Sequence, residues 1–474
     1  AGHHTPDATR GHQPQQAELV TMATGTSQRP RSRSLGLWMN GAFVGTWSLV
    51  PHGPDMLQYD LGWTQSEQGR PLSLSLPFTP GNAPHRGNKV SGYFDNLLPD
   101  SKDIRERMAR RFKTGTTDTF DLLAEVGRDC VGALEILPTG ASSAGVLPLQ
   151  AEPLTDAQVA EVLRGATTPS TLGLLANEDD FRISIAGAQE KTALLQVDGR
   201  WCLPRGATPT THIFKLPLGL IGGMKLDMTH SVENEWLCAM VLKAFGLPVA
   251  ACQPLQFEDM KALVVERFDR AWWTSPEGDQ RLIRLPQEDM CQATGVPPDA
   301  KYEVDGGPGI NSIFKVLEGS MAREQDRRTF FQAQVLFWML CATDGHAKNF
   351  SLFIRPGGRY QLTPLYDVLS AYPVLGEGPS KISPFKAKMA MAVRAKNAHW
   401  KMRDILRRHW LELGMRHGVV TADGRPAHAV LDDLVARTPE VIAQVRRQLP
   451  PGFPAEVADS VLAGVRGAAA RLAA

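Results

Sequence analysis

Cysteine is scarce in this chain, long apolar runs are missing and net charge nearly vanishes; each shortage removes a class of protein. The six cysteines (Cys130, Cys202, Cys238, Cys252, Cys291 and Cys341) lie far apart and form no Cys-x-x-Cys pair. That spacing offers neither a cysteine metal site nor a disulfide framework, and it suits reduced thiols in a cytoplasmic protein. No apolar stretch approaches the ~18 residues of a membrane-spanning helix. A formal net charge of +1 over 474 residues provides no global attraction to nucleic acid, so only a local patch could supply one. With 43% hydrophobic and 21% charged residues, the composition is that of a globular chain with room for two or three domains. Residues 1–33 stand apart. Rich in Gln, Thr, Ser, Pro, Arg and His without apolar periodicity, they read as a disordered or artificially appended leader.

Against this background, one polar stretch has no packing reason to exist. The apolar-periodic segment 330–341 reads as a buried helix and runs into Thr343-Asp344-Gly345-His346-Ala347-Lys348-Asn349. Asp344 and Asn349 are five positions apart, the offset between base and metal ligand in the catalytic loop of kinases. Two strand-like runs, 350–355 and 360–363, follow and end at Tyr366-Asp367, where kinases carry a second magnesium ligand. Phosphoryl transfer needs a carboxylate to orient the attacking hydroxyl and oxygen ligands for the cation. The same residues also suit a capped helix end followed by a hairpin.

The preceding chain supplies further pieces in order. Segments 35–39 and 43–49 flank Asn40-Gly41, a hairpin signal, and residues 71–77 alternate as a half-buried strand should. Residues 100–112 and 120–126 read as helices, 96–100 as a helix-entry turn, 105–111 as a solvated basic face, and 139–148 as a linker. Next come strands at 181–185 and 192–197, joined by Ala186, Gly187, Ala188, Gln189, Glu190 and Lys191. Small residues there let backbone N–H groups approach an anion, with Lys191 adding charge; a plain hairpin turn is the alternative. The 211–217 strand carries Lys215 among apolar neighbours, a residue rarely buried without a partner. Helix 232–245 carries Glu233 and Glu235 in its first turn, where carboxylates suit the helix dipole, or where one pairs with Lys215. Glu266-Arg267-Phe268 forms a strand-to-connector junction that in a kinase faces adenine. Gln287-Glu288-Asp289 reads as a helix cap and 305–309 as a plain glycine loop.

Beyond residue 273 the pattern is mostly helical, with a basic region at Arg403, Arg407, Arg408 and Arg416 that reads as a solvated face. The order of pieces predicts an α+β, protein-kinase-like two-lobe fold. Its expected parts are the leader, an N-terminal α+β subdomain at 34–140, a kinase N-lobe at 141–272 and a mainly helical C-lobe at 273–474.

Phe181 to Leu195, Pro209-Thr-Thr-His212, Val265-Glu-Arg-Phe-Asp269, Leu285-Pro-Gln-Glu-Asp-Met290, Thr343 to Asn349 and Phe94 to Asp100 together resemble the HipA family over roughly residues 35–470. HipA proteins are bacterial serine/threonine kinase toxins held in check by a DNA-binding antitoxin, HipB. The resemblance implies ATP and Mg²⁺ as cofactors, Asp344 as catalytic base, and Asn349 and Asp367 as magnesium ligands. It implies a phosphate loop from Ala186 to Lys191, Lys215 on the phosphates, and Glu266 to Phe268 at adenine. His346, Ala347 and Lys348 would line the nucleotide, Tyr366 would border it, and Glu235 would be the partner of Lys215. Ser184 matches a serine that the family autophosphorylates to shut itself off. The chain lacks His-Arg-Asp, Asp-Phe-Gly and a three-glycine loop, departures that the family shares. The implied partners are a HipB-like antitoxin dimer, operator DNA mainly through that antitoxin, and a protein substrate such as an aminoacyl-tRNA synthetase, with no membrane involved. Two rival readings remain: a small-molecule or lipid kinase of the same fold, and a pseudokinase acting as corepressor.

Overall fold

Asn40 and Gly41 both take positive φ, 46° and 89°, the backbone that lets a two-residue turn match the twist of its strands. They close strand Arg33–Met39 onto Ala42–Leu49, the hairpin expected there. Met56–Tyr59 and His85–Arg86 extend the sheet on one side and Leu134–Pro138 on the other. Helices Asn88–Asp95, Lys102–Phe112 and Thr119–Val126 accompany it, and Trp47 stacks on Phe94 with ring centroids 3.9 Å apart. This computed structural model describes residues 33–146, 148–167 and 189–474.

Residues 71–77 are not a strand. Leu72 and Leu76 are buried, but the Leu76 N–H turns back to the Ser73 carbonyl. Ser73 and Ser75 hydroxyls both donate to the Gln292 carbonyl. Serine hydroxyls competing for backbone acceptors, between two prolines that donate nothing, defeat the ladder despite the alternation.

The second sheet is antiparallel wherever its strands pair, in the order Cys252–Phe257, Met260–Glu266, His212–Lys215, Lys191–Val197, Arg200–Pro204, Ala151–Pro153. Helix Ser231–Ala244 packs on its strands while sharing a core with the helices beyond. That core runs through Ile310–Leu317, Arg323–Met339, Arg407–Arg416, Ala427–Arg447 and Ala455–Ala473. The C-terminal part is less purely helical than its sequence suggests. Gln287–Asp289, Ser351–Ile354 and Tyr360–Leu362 form one small sheet, and Arg270–Thr274 with Gln280–Arg284 and Lys388–Arg394 with Ala398–Lys401 form two separate hairpins. Among the described residues no helix is long and apolar enough to cross a membrane.

Candidate active site

Lys191 and Lys215 lie directly opposite one another on adjacent strands, so both side chains emerge on one face. Like charges in that position repel unless something negative sits between or above them. Here Lys215 Nζ donates to Glu235 Oε1 at 2.6 Å and to Asp367 Oδ1 at 2.8 Å. Glu235 is the partner that the resemblance implies; Glu233, the other carboxylate of that turn, pairs with Lys261. Asn234, next to Glu235, exchanges two 2.8 Å hydrogen bonds with the backbone of Ser370. The helix thereby fixes both the lysine and the segment just after Asp367.

Burial works against every charge of this cluster; attraction wins at Asp367 and Lys215, burial at Glu235 and Lys191. It opposes ionisation of Asp367, but Lys215 and then Lys191 hold that carboxyl down at about 2. Burial, helped by the Asp367 charge, drives Glu235 the other way, up to about 7 despite Lys215. Lys215 stays charged because Asp367 and Glu235 outweigh its desolvation. Lys191, desolvated and facing Lys215, falls to about 8. Asp367 also holds φ at +61°, a left-handed backbone uncommon for a residue with a side chain, of the kind found where function over-determines geometry.

The loop from the long helix completes the group. Gly345 lets it pass close to that helix, since a Cβ there would sit 2.5 Å from the Phe337 ring. Asp344 leaves its side chain 68% exposed, open to a molecule arriving from solvent. Asn349 Oδ1 accepts the His346 N–H at 3.1 Å, and its Nδ2 lies 3.5 Å from Asp367 Oδ2. The Asn349 amide thus lies beside Asp367 with its nitrogen turned toward the carboxylate, and its oxygen, which keeps a second lone pair, and the Asp367 carboxylate are both hard donors. Among the described residues no group of three or more His, Cys, Asp or Glu could hold a metal. Two oxygens suit a Mg²⁺ that takes its other ligands from phosphate and water.

Other expected site residues divide. Phe268 meets the Tyr366 ring at 5.7 Å, which brings connector and loop together, and the Tyr366 hydroxyl donates to the Lys348 carbonyl. His346 is buried beside Asp344, and burial lowers its basicity, so the ring is neutral near pH 7. Ala347 is core. Gln189 donates to the Leu216 carbonyl at 2.5 Å. Glu266 turns its side chain outward. Ser184, Ala186, Gly187 and Ala188, with the 181–185 strand, lie outside the described residues.

Four expectations need correction. Lys348 does not face a nucleotide. Its ammonium is buried and spends its donors on Asn96 O, Asn96 Oδ1 and Asp289 Oδ2, at 3.1, 2.7 and 2.8 Å, because a buried cation must find acceptors. Arg267 also turns away, to Asp129, Asp269, Thr210 and the Cys130 carbonyl, so only its backbone belongs to the connector. Residues 96–100 are correspondingly more than a turn, since Asn96 holds Lys348 and Asp100 pairs with Lys301 at 2.8 Å. Nor is 105–111 simply solvated: Arg105 bonds Asp95 and Arg107 pairs with Glu190. The cap expected at Asp289 is present, as a capping box with Gln292. Tyr302, which donates to Asp344 Oδ1 at 2.5 Å, was invisible beforehand, because a lone tyrosine in a loop carries no spacing signal.

A two-lobed α+β architecture with a lysine–carboxylate pair under the sheet, and Asp344, Asn349 and Asp367 on adjoining loops, defines a protein of the kinase-like class. The family model described as the HipA-like C-terminal domain matches residues 183–442, and the HipA N-terminal domain matches 35–137. The chain belongs to the HipA family. It is 35% identical to the Y4mE protein of Sinorhizobium fredii over 349 residues, covering 72% of this chain and 79% of that one. It is 27% identical to the serine/threonine-protein kinase toxin HipA of Shewanella oneidensis over 412 residues, covering 83% and 85%. A solved structure of HipA with HipB and its operator DNA from Shewanella oneidensis superposes with a TM-score of 0.72 at 24% identity, over 92% of this chain and 97% of that one.

Proposed function

We propose that this chain is an ATP-dependent serine/threonine protein kinase, the toxin of a HipBA-type pair. The observation that carries the reading is the bond from Lys215 to both Glu235 and Asp367, beside a loop that exposes Asp344. Lys215 and Lys191 supply positive charge to the phosphates of a nucleotide, and Phe268 and Tyr366 offer an aromatic wall for its base. Asp344 orients the substrate hydroxyl and accepts its proton as the oxygen attacks the terminal phosphorus; ADP departs with the bridging oxygen. When bound, Mg²⁺ supplies charge neutralisation at the phosphates, with Asn349 and Asp367 as its protein ligands. Lys215 and its carboxylates hold this frame before substrate arrives, so little reorganisation is left to the reaction itself.

The acceptor we carry forward is a serine or threonine of a protein in translation, an aminoacyl-tRNA synthetase being the example that family membership suggests. Ser184 is proposed as an intermolecular autophosphorylation site whose modification, worth about −1.5 to −2 charges, inactivates the enzyme. A HipB-like dimer is the proposed partner; the Shewanella oneidensis complex supports it, and operator DNA would be reached through that partner. The test is incubation with labelled Mg·ATP, alone and with cell extract, followed by mass spectrometry. Phosphoserine or phosphothreonine on a protein, with Ser184 labelled at a rate that rises with concentration, is expected. Nucleotide binding without any protein phosphorylation would instead support a pseudokinase.

A further inference from the structure

Resting on the kinase reading above, we propose that Tyr302 is a positioning residue: its phenol fixes Asp344 Oδ1 and thereby presents Oδ2 to the substrate hydroxyl. An exposed aspartate needs such help. The torsion that swings a carboxylate about its last bond is broad, and a small misplacement of a catalytic group costs up to a hundredfold in rate. The 2.5 Å bond from Tyr302 supplies the restraint. Asp344 Oδ2 faces His346 Nε2 only at 4.0 Å, too long for a hydrogen bond, and so stays available.

Tyr302 is itself held from four directions. Its ring meets His346 edge to face, centroids 4.9 Å apart. Its carbonyl accepts the N–H groups of Asp305 and Gly307 at 3.0 and 2.9 Å. Gly307 must be glycine for this, because a Cβ would lie 2.2 Å from the Ala300 carbonyl oxygen. On one side Lys301 is tied to Asp100 of the N-terminal unit. On the other, Glu303 accepts from Arg394 and from the Ala392 N–H at 2.7 Å. Three consecutive side chains thus anchor to three different parts of the molecule, with the middle one on the candidate base. Burial, then the neighbouring Asp344, pushes the phenol's ionisation far above its usual range, so it remains a donor throughout physiological pH.

The experiment is a double-mutant cycle on single-turnover phosphoryl transfer, using Tyr302→Phe, Asp344→Ala and their combination. Tyr302→Phe keeps the ring and its packing, so melting temperature and the KM for ATP should match wild type. Its transfer rate should fall roughly tenfold to a hundredfold. In the Asp344→Ala background the same change should cost nothing further, because no carboxylate is left to hold. A wild-type rate in Tyr302→Phe, a loss confined to the KM for ATP, or an equal loss in both backgrounds would overturn the proposal. Absence of transfer by the wild type itself would instead overturn the kinase reading on which it rests.

Discussion

Two of the buried ionic clusters among the described residues are built from similar charges to opposite ends. One joins the N-terminal unit to the connector: Arg267, Arg270 and Arg284 surround Asp129, with Asp269 and Glu135 completing it. Arg267 and Asp129 keep only 2% and 7% of their side chains exposed. Backbone carbonyls of Arg128, Cys130, Gly132 and Ala207 take further guanidinium donors. The other cluster, Lys191, Lys215, Glu235 and Asp367, leaves Asp367 35% exposed in a left-handed backbone, with one lysine drawn down to about 8. Planar guanidinium forks close a network in fixed geometry, whereas ammonium groups are point charges that can re-aim and titrate. The arginine cluster is therefore nearly closed, with Arg270 Nε left as a buried donor without an acceptor, and the lysine cluster has capacity left for a polyanion. Asp344→Asn should produce the largest effect on the open side, a loss of ~10²–10⁴-fold in transfer rate. Its melting temperature should be unchanged, as single-turnover assays and thermal scans would check.

On the closed side, Asp129→Ala leaves buried guanidinium groups short of a counter-charge and should cost roughly 3–5 kcal/mol, read from urea unfolding. The fraction that remains folded should bind ATP as wild type does. Lys215→Ala comes next. It removes charge-assisted contacts worth about 1.5–3 kcal/mol, so ATP should bind about tenfold to a hundredfold more weakly by calorimetry. The stability loss should stay below that of Asp129→Ala, because Glu235, already raised to about 7, can take up a proton and Asp367 keeps Lys191. If Asp129→Ala abolished ATP binding while Lys215→Ala chiefly unfolded the protein, the contrast between the clusters would be inverted.

How far the sequence anticipated this depends on the distance between partners. Lys215 and Glu235 are 20 positions apart, within one strand–helix unit whose order is recognisable, and the pair is where it was expected. The Asn40-Gly41 turn is local and equally legible. Lys348 finds Asn96 across 252 positions and Arg267 finds Asp129 across 138. Nothing local marks such contacts, so both side chains read as site residues and are anchors instead. Residues 71–77 misled for another reason: alternation reports which side chains are buried, not where backbone donors go. Tyr302 was missed because only the folded loop brings it to Asp344.

The smallest effect concerns Lys191. Its lowered value means that burial disfavours the charged form, so its contribution to stability is unfavourable below about 8 and is relieved as pH rises toward 10.5. Bound phosphates prefer the charged form, so the sign reverses for binding. ATP affinity should be flat below pH 8 and fall by up to about tenfold over the next unit, and Lys191→Met should flatten that fall. Calorimetry in buffers of different ionisation enthalpy should also register proton uptake near pH 8.

The central claim, that the open cluster is a phosphotransfer site with separable binding and chemistry, is tested most directly by titrating Mg·ATP into Asp344→Asn and Lys215→Ala side by side and then following transfer. The account predicts that Asp344→Asn binds as wild type does and transfers almost nothing, whereas Lys215→Ala binds poorly. Wild-type binding by Lys215→Ala, or transfer by Asp344→Asn at the wild-type rate, would contradict it.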